Sequence, residues 1–302
     1  MPSRKGLTLI SWLMGVAIVV LAFFYGPELK QALLKVDFIW VIAGFGCYGV
    51  NYTFRAMRLQ LLTHGRIRWW PEGLHASCIH GFAAYMLPFR SGELALPLVL
   101  RSLIGLNLRK GSRLLFRARL LDIQTLGMWV IVVTLISDIA LPTPIRIGWG
   151  LAGGGMFILP PVIKRLAVAG SANRITFIRK LAELMDTEPI SVREWMISLL
   201  IWFAVAGVFF CAAQAVGLAI DIKHVWLLIT FQLPLQLVPI QGIANAGNHE
   251  GGWVAGLMLL GFSAQESVEF ALISHCILIF YVLLLGPIGL LVGRFCRGKF
   301  SI

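Results

Sequence analysis

Two apolar stretches of this chain are each interrupted near the middle by polar and charged residues that a lipid-facing helix cannot carry. In the first half the interruption is Leu87-Pro88-Phe89-Arg90-Ser91-Gly92-Glu93. In the second it runs from Pro239 through Gln241, Gly242, Asn245, Gly247, Asn248, His249 and Glu250 to Gly252. A charged side chain at bilayer depth costs roughly 2.5–3.5 kcal/mol on insertion scales, so such residues persist only where protein or water surrounds them. Broken helices at matching places in two halves point to the binding site of a transporter.

The bilayer is the relevant solvent, because 58% of the residues are hydrophobic, 13% are charged and the mean hydropathy is +0.84. That composition excludes an ordinary soluble domain. A net charge of +12 would suggest nucleic acid in a soluble protein. Here the basic residues fall in short segments between apolar runs, the positive-inside pattern, and no nucleic-acid partner is expected. The five cysteines stand singly, mostly inside apolar runs, and read as small hydrophobes. No cofactor motif is evident.

Leu7 to Phe24 approaches the length needed for a hydrocarbon core of about 30 Å. A signal peptide is the competing reading, but no small-residue cleavage site follows, so an uncleaved first span is expected. Further spans read as Phe38 to Leu62, Leu120 to Ser137, Ile147 to Ile163, Trp195 to Gly217 and Val268 to Gly293. The fold class expected is all-α: a polytopic helical membrane protein with about six full spans and two re-entrant helical hairpins in an inverted-topology repeat.

The hairpins follow from lengths and charges. Only 32 residues separate Arg68 from Arg101, and both flanks are basic. Two full crossings need about 40 residues plus a turn, and a single crossing would put one basic cluster outside. A hairpin over 69–104 with its tip at Pro88 to Glu93 satisfies both constraints. The stretch 225–262, between Asp221, Lys223 and His224 and the acids Glu266 and Glu269, reads as a hairpin entering from the opposite face. With both termini cytoplasmic, all Lys and Arg lie inside except Lys30, Lys35, Arg146 and Lys223 outside and Arg90 at depth.

One transmembrane domain over 1–302 is expected. It comprises a first span and outer loop (1–37), a repeat unit over 38–140, a connecting span with a basic cytoplasmic segment (141–194) and a second repeat unit over 195–302. The segment 164–194 has apolar residues at near-helical spacing beside Arg174, Arg179 and Lys180. It fits either a helix on an anionic leaflet or a solvated connector.

Candidate substrate-binding residues are Arg90, Glu93, Gln241, Asn245, Asn248, His249 and Glu250; structural or gating residues are Pro88, Gly92, Arg119, Asp122, Gly247 and Gly251. Arg90 and Glu93 are three apart and close enough to pair, with Arg90 suited to forking onto phosphate. A half-helix starting near Gly251 would aim its positive end at the second tip, and Gly247-xxx-Gly251 and Gly252-xxx-Gly256 would let it pack closely. Glu250 is the residue that glycine packing does not explain. Arg119 and Asp122 share a helical face and read as a local ion pair. Arg55 and Arg58 read as snorkelling to headgroups. Trp40, Trp69, Trp70, Trp149, Trp195 and Trp226 read as an aromatic belt. His249-Glu250 lacks the second histidine of HExxH, and no catalytic or metal site is assigned.

The segments Leu87-Pro88-Phe89-Arg90-Ser91-Gly92-Glu93 (LPxRxGE), Arg119-Leu120-Leu121-Asp122 (RxxD) and the glycine-rich run Pro239 to Glu250 together resemble the transmembrane region of lysylphosphatidylglycerol synthases and the flippase-like proteins related to it. The resemblance covers nearly the whole chain. It implies a bacterial cytoplasmic membrane and translocation of an anionic or isoprenoid-linked membrane lipid, a phospholipid, polyprenyl-linked or hopanoid-related. The aminoacyl-transfer domain of the bifunctional enzymes is absent from the sequence. The second motif reads Gln241-Gly242-Ile243-Ala244-Asn245 through His249-Glu250 where many relatives have Pro-Gly-Gly and Arg-Glu. Two other readings stay open: a membrane enzyme with His249 or Glu250 as general base, and a partner in a lipid-synthesis complex.

Overall fold

In the computed structural model the chain folds as α-helices joined by short turns, with no strand among the described residues. The structure describes residues 33–136, 142–168, 190–237 and 242–296, together with Lys30. The expected first span, most of the segment 164–194 and Gln241 lie outside the described residues. The helices are α1 Phe38–Leu62, α2 Leu74–Met86, α3 Ala95–Ile104, α4 Leu108–Ile136, α5 Thr143–Val168, α6 Val192–Ala215, α7 Ile222–Leu237, α8 Asn248–Leu259 and α9 Ala264–Gly293. Among the described residues, three segments, Leu108–Leu135, Val192–Ala215 and Ala264–Cys296, are long and apolar enough to cross a membrane. The protein is a polytopic helical membrane protein.

Side chains in the turns set the helix starts. Asp37 accepts the Ile39 N–H at 2.9 Å ahead of α1. Ser191 with Glu194, and Ser263 with Glu266, form reciprocal capping boxes at α6 and α9, each meeting donors that a helix leaves unsatisfied. The observed α1 matches the expected span. By contrast, α4 begins twelve residues before the expected Leu120. Exposed Arg109 and Lys110 mask a stripe of buried Gly111, Ala118 and Leu121 on the opposite face, so mean hydropathy misses the first turns of an amphipathic helix.

Lengths separate two kinds of helix. At 1.5 Å per residue, α2 and α3 extend about 20 and 15 Å, and α7 and α8 about 24 and 18 Å, against a hydrocarbon thickness of about 30 Å. Each short pair packs arm against arm across a short turn, Pro88–Leu94 in one and Ile243–Asn245 in the other.

The packing is reciprocal. Helix α1 lies along α6; α2 packs on α9 while α7 packs on α4; α3 packs on α4 while α8 packs on α9. The two turns also touch each other. On α9, Gly286, Gly289 and Gly293 face Phe82, Cys78 with Ile79, and His75 of α2, so the two backbones approach closely.

Apolar side chains point outward along the long helices, including Phe280, Leu283 and Leu291 on α9, where lipid is the natural neighbour. Trp226 differs from its expected place in an aromatic belt: it is buried and stacks on Trp129 at 4.1 Å. Trp149 donates from Nε1 to Thr230 Oγ1 at 2.9 Å. Both are packing residues, because helices on either side cover them.

Candidate functional site

Leu87 leaves α2 with extended backbone, and Pro88 opens the first turn, where Ser91 Oγ donates to the Pro88 carbonyl at 2.7 Å. Arg90 sits at φ +54°, a left-handed conformation that costs a non-glycine residue about 1–2 kcal/mol. Such strain survives where the surroundings over-determine the backbone. Gly92 lies against α2 so closely that a Cβ would fall 1.9 Å from the Ala83 carbonyl oxygen. This contact fixes where the following Glu93 points.

Glu93 does not pair with Arg90. Its carboxylate accepts from Arg119 Nη2 at 2.6 Å and meets His80 Nε2 at 3.1 Å. Arg119 reaches Asp122 at 3.4 Å, and Asp122 takes its shorter bond, 2.6 Å, from Arg58 Nη1. Arg58 also contacts Ser198 Oγ at 3.1 Å. The expected local Arg119–Asp122 pair is thus the weaker link of a chain joining α2, the first turn, α4, α1 and α6. Arg58 is 4% exposed and cannot snorkel, because the carboxylate that satisfies it lies inside the bundle. The glutamate of LPxRxGE and the arginine of RxxD are direct partners.

The second turn has three positive-φ residues within four positions: Ala244 at φ +54°, Asn245 at +63° and, after Ala246, Gly247 at +85°. Helix α8 starts at Asn248, earlier than the expected Gly251, because Glu250 Oε2 reaches back to the Gly247 N–H at 2.8 Å and so favours a start there. Glu250 Oε1 bonds His275 Nδ1, while His275 Nε2 meets the Ala244 carbonyl at 2.7 Å. A carbonyl only accepts, so His275 Nε2 is a donor. A single proton is then held between Nδ1 and the Glu250 carboxyl. His249 stacks on His275 at 4.7 Å, and its Nε2 meets Ser274 Oγ at 2.9 Å. Close packing on α7 comes from Gly256, whose Cβ would meet Leu228, whereas Gly251 faces open space. The expected packing role of Gly251 is corrected accordingly.

Between the two turns lies a cavity of about 260 Å³. Of the residues expected from sequence, it brings together Arg90, Glu93, Arg119, Asn245 and His249. Glu250 and Asp122 lie behind its wall, Asn248 begins α8 away from it, and Pro88, Gly92 and Gly247 shape the turns that frame it. The remaining polar wall was missed: Asn51, Tyr52, Arg55 and Arg58 of α1 and His80 of α2. The spacing of Tyr48, Asn51, Tyr52, Arg55 and Arg58 by threes and fours is a polar stripe on a helix, and that signal was present in the sequence. His275, alone in an apolar span, carried none.

Two guanidinium Nε atoms facing this region, on Arg90 and Arg119, are shut off from solvent without a hydrogen-bond partner. Buried donors are normally satisfied, and these two lie under the cavity wall rather than open to it. Among the described residues Arg55 bonds Asn51 Oδ1, at 2.7 Å, and lies over the Tyr52 ring.

A family model described as the lysylphosphatidylglycerol synthase TM region matches residues 8–286. No curated protein and no solved structure matches the chain.

Proposed function

Because the chain belongs to the lysylphosphatidylglycerol synthase TM region family, we propose that it binds the phosphate-bearing headgroup of a membrane lipid between two re-entrant hairpins and passes it across the cytoplasmic membrane. The observation that carries this reading is the meeting of both interrupted turns at one cavity lined by Arg55, Arg58, Arg90 and Arg119. Guanidinium forks match phosphate oxygens.

The reciprocal packing supports an inverted repeat in which α1 to α4 correspond to α6 to α9. Hairpin arms too short to cross support re-entry from opposite faces. In repeats of this kind the substrate sits near the midplane, and transport is a rocking of one unit against the other. The cavity follows α1 from Tyr48 to Leu62, toward the basic segments around Arg66 and Arg109. By the positive-inside rule this end is cytoplasmic. At the other end the Trp129–Trp226 stack closes α4 on α7, and the bond from Tyr281 Oη to the Val41 carbonyl closes α9 on α1. The state is inward-facing. The lipid is an anionic phospholipid, a polyprenyl-linked or a hopanoid-related lipid, with Arg90 on its phosphate. Glu93 holds the first turn in place, and Glu250 with His275 holds the second.

A membrane enzyme using Glu250 as base would first have to free both of its oxygens, which His275 and the Gly247 N–H occupy. In proteoliposomes carrying a fluorescent phospholipid, the intact protein moves label between leaflets, and Arg90→Ala and Glu250→Gln each abolish the movement while the protein still elutes as a folded species. Unchanged rates in both variants would remove this reading. A mass change in the lipid would favour an enzyme.

A further inference from the structure

The charges of the cavity do not balance, and the imbalance has a location. Four arginines line it: Arg55, Arg58, Arg90 and Arg119. Among the described residues, two carboxylates reach these guanidiniums. Asp122 is committed to Arg58, and Glu93 to Arg119, with bonds of 2.6 Å each. Arg55 and Arg90 have no carboxylate partner among the described residues. Among the described residues Arg55 bonds an uncharged amide, Asn51 Oδ1, and no carboxylate lies in ion-pair reach of Arg90.

No carboxylate of the wall is left over for a cationic headgroup. Both Asp122 oxygens face guanidiniums, the Glu93 oxygens face Arg119 and His80, and Glu250 is buried behind the wall on His275. An ammonium placed here would meet two unpaired guanidiniums. Like charges at close quarters cost several kcal/mol and so reject a cationic partner.

Resting on the lipid-binding reading above, we infer that the cavity selects a lipid ending in a dianionic phosphate, a phosphomonoester or diphosphate, over monoanionic phosphodiester, zwitterionic and aminoacylated headgroups. Arg55 on α1 and Arg90 on the first turn are the specificity-determining residues. The terminal phosphate of a monoester carries a charge of about −1.5 to −2 at neutral pH and three acceptor oxygens. It can satisfy both guanidiniums at once. A diester carries one charge and fewer free oxygens, leaving one arginine uncompensated.

The test uses the intact chain purified in detergent and measures binding of short-chain lipids by tryptophan fluorescence or calorimetry. The probes are dioctanoyl phosphatidic acid, phosphatidylglycerol and phosphatidylethanolamine, with inorganic phosphate as the lipid-free arm. Phosphatidic acid binds at least about tenfold more tightly than phosphatidylglycerol, phosphatidylethanolamine binds most weakly, and inorganic phosphate competes but more weakly than phosphatidic acid. Arg55→Gln and Arg90→Gln, each with a thermal midpoint near that of the parent, weaken phosphatidic acid binding more than phosphatidylglycerol binding and reduce the preference to about twofold or less.

Equal binding of phosphatidylglycerol and phosphatidic acid overturns the charge selection but leaves the lipid reading intact. So does a preference that survives both substitutions. Inorganic phosphate binding as tightly as phosphatidic acid makes the site one for free anions and overturns the lipid part. Failure of every phospholipid to bind overturns the lipid reading and this inference with it.

Discussion

Asp122 shows what individual residues do in this bundle. It is 5% exposed and shared by two arginines, one buried and one at the cavity wall. Removing one member of a buried pair leaves the other charged and unsolvated, which typically costs about 3–5 kcal/mol, whereas replacing both with apolar residues costs far less. Arg58→Met therefore lowers the thermal midpoint in detergent sharply, and Arg58→Met combined with Asp122→Leu recovers part of the loss. The recovery is partial because Arg119 then loses one of its carboxylates. Equal midpoints for Arg58→Met and the parent would show that this chain of charges contributes nothing to the fold. Such pairings were only half legible in the sequence. The motif residues Glu93, Arg119 and Asp122 stood out as charges in apolar surroundings, but spacing along the chain suggested partners three residues away. The strong partners are 26 and 64 residues distant, and only the fold brings them together.

The interrupted turns are the elements on which the site depends, and each is set by a few backbone constraints. In the first, Gly92 touches the Ala83 carbonyl, and any Cβ must push the turn off α2. Glu93 would move with it, away from His80 and Arg119. Gly92→Ala should accordingly abolish lipid movement and lower the thermal midpoint by several degrees, consistent with a loss of about 2–3 kcal/mol. Gly155→Ala, where a Cβ meets open space, serves as the matched control and should change neither. A Gly92→Ala protein with parental transport would mean that the turn is not held against α2 during function. The existence of two broken stretches was plain from sequence, because proline, glycine and charge punctuate otherwise apolar runs. Their exact edges were not. Helix α8 starts at Asn248 rather than near Gly251, since the choice of start depends on one carboxylate finding one N–H.

Over the whole molecule, the pairing of α2 with α9 and of α7 with α4 weaves the two halves together, and a cavity forms where both turns meet. Composition made the membrane class readable, and counts of apolar residues found α1, α6 and α9 closely. The polar face of α1 was not recognised, because Arg55 and Arg58 near a span's end look like snorkelling residues when the neighbouring helix is unknown. Once α6 covers that face, Arg58 becomes interior and Arg55 lines the cavity. For the two turns to share one headgroup site at depth, each hairpin must enter and leave the membrane on one side, the two from opposite sides. Substituted-cysteine labelling tests this directly, in a background with the five native cysteines replaced, using an impermeant maleimide on sealed vesicles of each orientation. Arg68→Cys and Ser102→Cys should both label from the cytoplasmic side, and Lys223→Cys and Gln265→Cys both from the opposite side. Labelling of either pair from two different sides would mean that its hairpin crosses the bilayer, and the shared headgroup site would be lost.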